Sequence, residues 1–234
     1  MVDSNLVFNF VRETADHGNE NSWNRLPFVT TVRDGSPSMV PAWNSNLRNM
    51  MMMTNFGFMS LDHDDGSSHW NDSYNFLVGG RGWTKHDGPF QKAVGNLLLL
   101  LPDADLPFVG GTDPPSDKHS QCASVGLAGA FENNTCISPI GRVNNITKCD
   151  PSTGALSGPG LTAPAATGGN RYIVPGGEVT IICGDTEKQV IDQARILNLS
   201  QAAKLGIERG SRGEPLEELS VRDIVAQARA LLQF

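Results

Sequence analysis

The most regular pattern in the chain is an asparagine followed by a short run of apolar residues. It occurs first at Asn5 and returns at Asn49, Asn75, Asn96, Asn134 and Asn170. The interval is 26 residues from Asn49 to Asn75 and 21 residues from Asn75 to Asn96. The two later intervals are longer and contain the Pro- and Gly-rich stretches 102–115 and 151–169. The pattern indicates a chain built from repeated short strands.

A repeat of roughly twenty residues, with turns between short strands, is typical of a solenoid. In a right-handed parallel β-helix, equivalent positions of successive coils stack about 4.8 Å apart. We therefore predict an all-β fold, a right-handed parallel β-helix (solenoid), over residues 1–184, with stacked side chains at Asn49, Asn75 and Asn96. The alternative is that asparagine only marks turns before strands.

The end of the chain, residues 185–234, has a helical pattern instead. A T-x-x-Q capping box at residues 186–189 predicts a helix that continues to about Leu197. An S-x-x-D pattern at residues 220–223 predicts a second helix with one apolar face. We therefore predict a C-terminal helical cap that covers the last coil of the solenoid.

Several longer stretches carry a resemblance to a known family. They are WNRLPFVTTVRDGS, LDHDDGSSHWNDSYNFLVGG, ENNTCIS and the closing LGIERGS and LSVRDIVAQARALL. In these stretches the chain resembles a family of secreted eukaryotic right-handed parallel β-helix proteins. The resemblance covers nearly the whole chain, and its D-H-D-D-G-S segment is the most specific part. It implies a pectin-lyase-like fold and a chain that is the C-terminal portion of a longer protein, but it implies no activity.

Composition and charge narrow the class of partner. The formal net charge is -7, so a basic stripe that would neutralise nucleic-acid phosphates is not expected. The longest apolar run, residues 97–101, is too short to span a bilayer. The first residues have no basic and apolar signal-peptide regions. Because the repeat is already running at residue 5, we expect a fragment.

Cysteines and glycosylation sequons indicate an oxidising compartment. No two of the four cysteines form a C-x-x-C pair, so we predict disulfides rather than a zinc site. Cys122 is expected to pair with Cys136 or Cys149, and Cys183 with the remaining one. N-glycosylation sequons occur at Asn71, Asn133, Asn145 and Asn198. Together these features predict a secreted or extracellular glycoprotein.

Groups capable of chemistry are densest between residues 60 and 96. Asp62, Asp64 and Asp65 lie close together, but they do not fit an EF-hand, because position twelve is Ser73 rather than glutamate. One interpretation is an irregular calcium site with these three aspartates as ligands, built by adjacent coils. No other cofactor is expected, and the structural alternative is a polar surface turn.

A second interpretation is cleavage of an acidic polysaccharide by hydrolysis. Inverting glycosidases use two carboxyl groups, which Asp64 and Asp65 would supply as acid and base. His86 follows Asp65 by about one coil, and polygalacturonases are similar in using an aspartate pair with a later histidine. The resemblance stops there, because the Gly-His-Gly of that family is replaced by a Lys-His-Asp sequence at residues 85–87. Its earlier aspartate also has no match near residues 43–44.

A third interpretation is lyase chemistry, with Lys85 or Lys92 as the base and calcium held against a uronate carboxylate. We predict Lys92, Arg81 and Trp83 as substrate-binding residues. The competing class is a non-catalytic extracellular module that binds glycans or proteins. Tryptophans such as Trp43 would line a sugar-binding face or pack inside the fold. Nucleophilic catalysis is not predicted, because no G-x-S-x-G motif occurs.

Overall fold

The structure, a computed structural model, describes thirteen segments of the chain, and most of their residues lie in short β-strands. These segments are residues 1–8, 20–23, 29–30, 37–38, 43–52, 61–64, 67–79, 90–100, 122–124, 129–139, 142–146, 166–183 and 195–233.

The first of two large sheets has six strands, all paired in parallel. In spatial order its strands are β1 (Val2–Asp3), β6 (Asn44–Leu47), β9 (Trp70–Ser73), β11 (Gln91–Val94), β14 (Ala130–Glu132) and β17 (Ala166–Gly168).

The second large sheet has seven strands and is also parallel throughout. In spatial order its strands are β2 (Leu6–Phe8), β7 (Met50–Met52), β10 (Phe76–Val78), β12 (Leu97–Leu99), β15 (Thr135–Ile137), β18 (Arg171–Val174) and β21 (Arg212–Pro215).

Smaller sheets and two helices complete the described structure. A four-stranded sheet contains β13 (Ala123–Ser124), β16 (Arg142–Ile146), β19 (Thr180–Cys183) and β20 (Arg195–Asn198). Two further pairs are β3 (Glu20–Trp23) with β8 (Leu61–Asp64), and β4 (Val29–Thr30) with β5 (Pro37–Ser38). The helices are α1 (Leu199–Lys204) and α2 (Val221–Leu232).

A row of asparagines, buried except at Asn5, lies where each strand of the six-stranded sheet passes into one of the seven-stranded sheet. Nδ2 of Asn49 donates to Oδ1 of Asn75 at 3.2 Å, and Nδ2 of Asn75 donates to Oδ1 of Asn96 at 3.1 Å. The backbone N–H groups of Asn49 and Asn75 donate to the same two oxygens. The predicted stacking of these three asparagines is confirmed, and the row extends to Asn5 on one side and Asn170 on the other.

The predicted right-handed parallel β-helix is wrong. The strands form two parallel sheets of six and seven strands, and no closed solenoid is found among the described segments. The physical reason is that the asparagine period fixes only the stacking of the strand junctions. It does not determine whether the chain between two junctions closes a coil. In addition, β20 runs antiparallel to β19, which a uniform solenoid does not include.

The core contains one buried residue from each of five neighbouring strands of the seven-stranded sheet, β7, β10, β12, β15 and β18. These buried residues, in register, are Met51, Leu77, Leu98, Cys136 and Tyr172. The opposite face of the same sheet packs against α2, through Ala228 and Leu232 of the helix. Helix α2 thus removes apolar sheet surface from water, which is the main stabilising term in such packing.

The predicted second helix is confirmed. Ser220 caps α2, its side chain accepts a hydrogen bond from the N–H of Asp223, and the aspartate bonds back to the N–H of Ser220. The predicted first helix is wrong at residues 195–197, which belong to β20, and residues 186–194 lie outside the described segments. Pairing with β19 buries Leu197, and this tertiary contact overrides local helical preference. The boundary at residue 184 stays a prediction.

Candidate functional site

Most of the predicted site residues lie outside the described part of the chain. These are Asp65, Arg81, Trp83, Lys85 and His86, together with the side chains of Asp62 and Asp64, whose backbones lie in β8. Lys92 is described and lies exposed on β11. The described segments contain no group of three or more His, Cys, Asp or Glu side chains that could hold a metal ion. The predicted catalytic and calcium roles therefore stay predictions.

The described segments include three of the four cysteines and all four sequon asparagines. The disulfide Cys122–Cys136 is present, which confirms one of the two predicted partners of Cys122. Cys183 is also disulfide-bonded, while Cys149, the partner that this pairing leaves for it, lies outside the described segments. Of the sequon asparagines, Asn133 and Asn198 are exposed, Asn71 is half-buried, and Asn145 lies in β16. Glycosylation itself stays a prediction.

A chain of three polar side chains links β3, β8 and β9. Parallel pairing of β3 with β8 sets Ser22 opposite His63. Oγ of Ser22 lies 2.7 Å from Nδ1 of His63, and Nε2 of the same imidazole lies 2.8 Å from Oδ2 of Asp72. His63 and Asp72 are completely buried, whereas Ser22 is partly exposed. The result is a serine, a histidine and an aspartate in hydrogen-bond sequence.

The carboxylate of Asp72 sets the direction of the hydrogen bonds in this chain when the imidazole is neutral. The indole N–H of Trp70, which can only donate, lies 2.9 Å from Oγ of Ser67. Ser67 in turn lies 2.7 Å from Oγ of Ser22. The carboxylate of Asp72 can only accept, so Nε2 of His63 carries a hydrogen and donates it to Asp72. In the neutral imidazole Nδ1 is then an acceptor, which takes the hydrogen of Ser22 and leaves Ser67 to donate to Ser22.

Surrounding groups hold the imidazole and the carboxylate in place. The ring of Trp70 stacks on that of His63, with centroids 4.2 Å apart. Nδ2 of Asn46 donates to the second carboxylate oxygen of Asp72 at 2.8 Å. Two buried oxygens beside this cluster, Oδ1 of Asn46 and Oε1 of Gln91, accept no hydrogen bond within the described structure.

Glu20 adds a second carboxyl group near the same cluster. Burial raises the pKa of Glu20 above its usual value, against the lowering effect of His63, while the negative charge of Asp72 raises it further. Glu20 therefore keeps its proton to a higher pH than an exposed glutamate does.

An aromatic row lies at the surface where three strands of the six-stranded sheet begin. Trp43, His69 and Phe90 immediately precede β6, β9 and β11, whose first residues are in register. The rings of His69 and Phe90 stack with centroids 5.2 Å apart, and Trp43 meets His69 edge-on at 5.7 Å. Nζ of Lys92 lies 4.4 Å from the centroid of the Trp43 ring. We call Trp43, His69, Phe90 and Lys92 the aromatic row.

Sequence reasoning missed the pairing of Ser22, His63 and Asp72, since it depends on the register of β3 against β8. One signal was present. The inward-facing position three residues before each asparagine of the row is polar in two successive repeats, as Asn46 and Asp72. It is apolar in the next two repeats, as Ala93 and Phe131. Polar residues at a core-facing position indicate a network rather than packing.

Comparisons with known proteins assign no family to the chain. No family model, curated protein or solved structure matches it. The resemblance to a secreted eukaryotic family therefore stays a prediction, although the β-helix fold that it implied is wrong. Across the described segments, no helix is both long and apolar enough to cross a membrane.

Proposed function

We propose that the protein binds an acidic polysaccharide outside the cell and that the aromatic row is the binding surface. The observation that carries this proposal is the position of the Lys92 ammonium group, 4.4 Å from the centre of the exposed Trp43 ring. An aromatic ring offers an apolar face to a sugar ring, and the adjacent cation offers a partner to a uronate carboxylate. A non-catalytic glycan-binding module is the function that these residues support best.

The charge of Lys92 is available to a ligand. Lys92 is exposed and forms no salt bridge with any residue that the structure describes. Trp43 is 37% exposed, and His69 and Phe90 extend the same surface along the sheet. A polymer lying across the strand starts would contact successive rings. This arrangement favours an extended ligand over a small molecule.

The extracellular location is part of the proposal. It is supported by the Cys122–Cys136 disulfide, since disulfides persist in oxidising compartments. The predicted calcium ligands, Asp62, Asp64 and Asp65, would be tested by repeating the binding measurement with a chelator.

Titration calorimetry with polygalacturonate tests the proposal. Trp43→Ala is expected to weaken binding about tenfold or more, and Lys92→Gln about fivefold with a smaller dependence on salt. Lys204→Gln is the matched control, because Lys204 is exposed on α1, away from the row. A neutral polysaccharide should show little effect of Lys92→Gln. Equal affinities for all four proteins would overturn the proposal.

Glycosidic bond cleavage is a second candidate, favoured by the raised pKa of Glu20 near Asp72. A carboxyl group that keeps its proton can protonate a leaving oxygen. Release of reducing ends from polyuronides would be compared among the parent protein, Glu20→Gln, and the double variant Asp64→Asn, Asp65→Asn. Loss of activity only in Glu20→Gln would identify Glu20 as the acid, and loss only in the double variant would assign acid and base to Asp64 and Asp65. No activity in any protein would leave binding as the function.

A further inference from the structure

We propose that Ser22 is a nucleophile for the hydrolysis of small carboxylic esters, with His63 as its base and Asp72 as the positioning residue. The proposal is independent of glycan binding, because it concerns the cluster formed by β3, β8 and β9 and not the aromatic row. It rests on the 2.7 Å contact between Ser22 and His63 and the 2.8 Å contact between His63 and Asp72.

The orientation of the hydrogens suits this chemistry. With Nε2 of His63 donating to Asp72, Nδ1 of the neutral imidazole accepts the Ser22 hydrogen, and Ser67 donates to Ser22. A serine becomes nucleophilic when an adjacent base accepts its proton as it attacks. Asp72 holds the tautomer in which Nδ1 accepts from Ser22, and it stabilises the imidazolium that then forms.

The fold does not require polar groups at this position. Asp72 faces inward on β9, and the residues aligned with it on the next two strands are Ala93 and Phe131, which are also fully buried. The sheet is therefore built equally well with apolar side chains there. Burying a histidine and an aspartate is unfavourable compared with a well-packed apolar pair. A cluster that is dispensable for packing and unfavourable to bury indicates a chemical role.

Of the three side chains, the nucleophile is the one that solvent reaches. His63 and Asp72 are completely buried, whereas Ser22 is partly exposed and is the member that a substrate can reach. The limited exposure of Ser22 and the adjacent Trp70 ring favour a small acyl group such as acetyl.

The reaction balances without any added reagent except water. Oγ of Ser22 forms a bond to the ester carbonyl carbon while its proton passes to Nδ1 of His63. The carbon–oxygen bond to the alcohol then breaks, and His63 returns that proton to the leaving oxygen. Water attacks the acyl-serine, gives a proton to Nδ1, and the bond to Oγ breaks as Ser22 regains its hydrogen. The hydroxyl of Ser67, released from Ser22 during attack, can donate to the carbonyl oxygen as charge develops.

Labelling with a fluorophosphonate and hydrolysis of an aryl acetate test the nucleophile. We expect a mass increase on the peptide that contains Ser22, and a fall in hydrolysis on the order of 100-fold or more in Ser22→Ala. Ser45→Ala is the matched control, since Ser45 lies on β6 and forms none of these contacts. Absence of label on Ser22, together with equal rates in both variants, overturns the proposal. Should Ser22→Ala not fold, labelling of the parent protein decides.

Nitrogen NMR of the imidazole tests the role of Asp72. In the parent protein the spectrum should show the hydrogen on Nε2 of His63. In Asp72→Asn the new amide can donate to Nε2, which would move the hydrogen to Nδ1 and remove the acceptor of Ser22. A changed tautomer with a retained fold and a lost rate supports the positioning role. An unchanged tautomer with an unchanged rate contradicts it.

Discussion

Asn96 and Asn134 are 38 residues apart in sequence, yet Nδ2 of Asn96 donates to Oδ1 of Asn134 at 2.9 Å. The backbone N–H of Asn96 donates to the same oxygen at 2.9 Å, and its Nδ2 also donates to the carbonyl of Asp72 at 2.8 Å. Oδ1 of Asn96 accepts from the backbone and side chain of Asn75. The buried amide thus has a partner for every polar atom.

Replacing this amide should destabilise the protein strongly. Asn96→Ala removes the acceptor of the buried backbone N–H of Asn75, and an unsatisfied buried donor costs about 1–3 kcal/mol. It also removes one hydrogen bond each from Nδ2 of Asn75, Oδ1 of Asn134 and the carbonyl of Asp72. We expect the free energy of unfolding to fall by about 3 kcal/mol or more in urea titrations. The control Asn44→Ala removes an exposed asparagine from the start of β6 and should change it by less than about 0.5 kcal/mol. Similar losses of unfolding free energy in both variants would show that the row of asparagines is not a main source of stability.

The part of the fold that sequence could predict is the part that repeats. Stacked asparagines require only equal spacing and a turn, and both are visible at Asn49, Asn75 and Asn96. The closure of coils was predicted wrongly, because the spacing of the asparagines fixes only how the strand junctions stack and not how the chain runs between them. The contact between Ser22 and His63 could not be predicted, since a shift of one residue in strand register turns a side chain to the other face.

The ion pair between Arg171 and Glu214 should govern stability in acid. The hydrogen bond from Arg171 lowers the pKa of Glu214 to about 2, with a smaller effect of Arg212. Because the unfolded value is about 4.3, the carboxylate stabilises the fold fully above that pH. This stability is lost as the pH falls from about 4.3 through about 2.

Glu214→Gln removes the contribution at neutral pH. Since the glutamate side chain is 29% exposed, we expect a loss of about 1–2 kcal/mol at pH 7 and a flatter decline in stability below pH about 4. Unfolding free energies measured between pH 2 and 7 would check both effects. Glu178→Gln, at an exposed position, should follow the parent curve. A parallel acid decline in Glu214→Gln and the parent would contradict the assignment.

The Cys122–Cys136 disulfide should stabilise the fold through the loop that it closes. The two cysteines are 14 residues apart, and both are fully buried. A loop of this length corresponds to about 3 kcal/mol in the chain-entropy model. The double variant Cys122→Ser, Cys136→Ser should lower the unfolding free energy by about that amount. Peptide mapping without reductant should recover the 122–136 pair, and four free thiols would refute it.

The first strands of both large sheets should promote association. Within the described structure, β1 and β2 each pair with a neighbour on one side only. Leu6 is 59% exposed and Phe8 is 61% exposed. Unpaired apolar edges favour pairing with another strand. Sedimentation velocity should therefore show association that increases with concentration.

Leu6→Lys should shift the protein toward the monomer, because charged side chains protect an edge strand. Val225→Lys is the control, since it places the same charge at an exposed position of α2. An equal effect of both substitutions would assign the association to general surface charge instead of the edge.

The asparagine row also has an electrical polarity. Every side-chain amide points its oxygen toward the N-terminal strands and its nitrogen toward the C-terminal ones, so the local dipoles add as peptide dipoles do in a helix. At the positive end, Nδ2 of Asn170 meets the buried carboxyl group of Glu208 at 2.9 Å. At the negative end lies Asn5, close to the surface. The row of amides thus gives the interior a net dipole along the stacking axis. The carboxyl group of Glu208 lies at the positive end of this dipole, where negative charge is favoured.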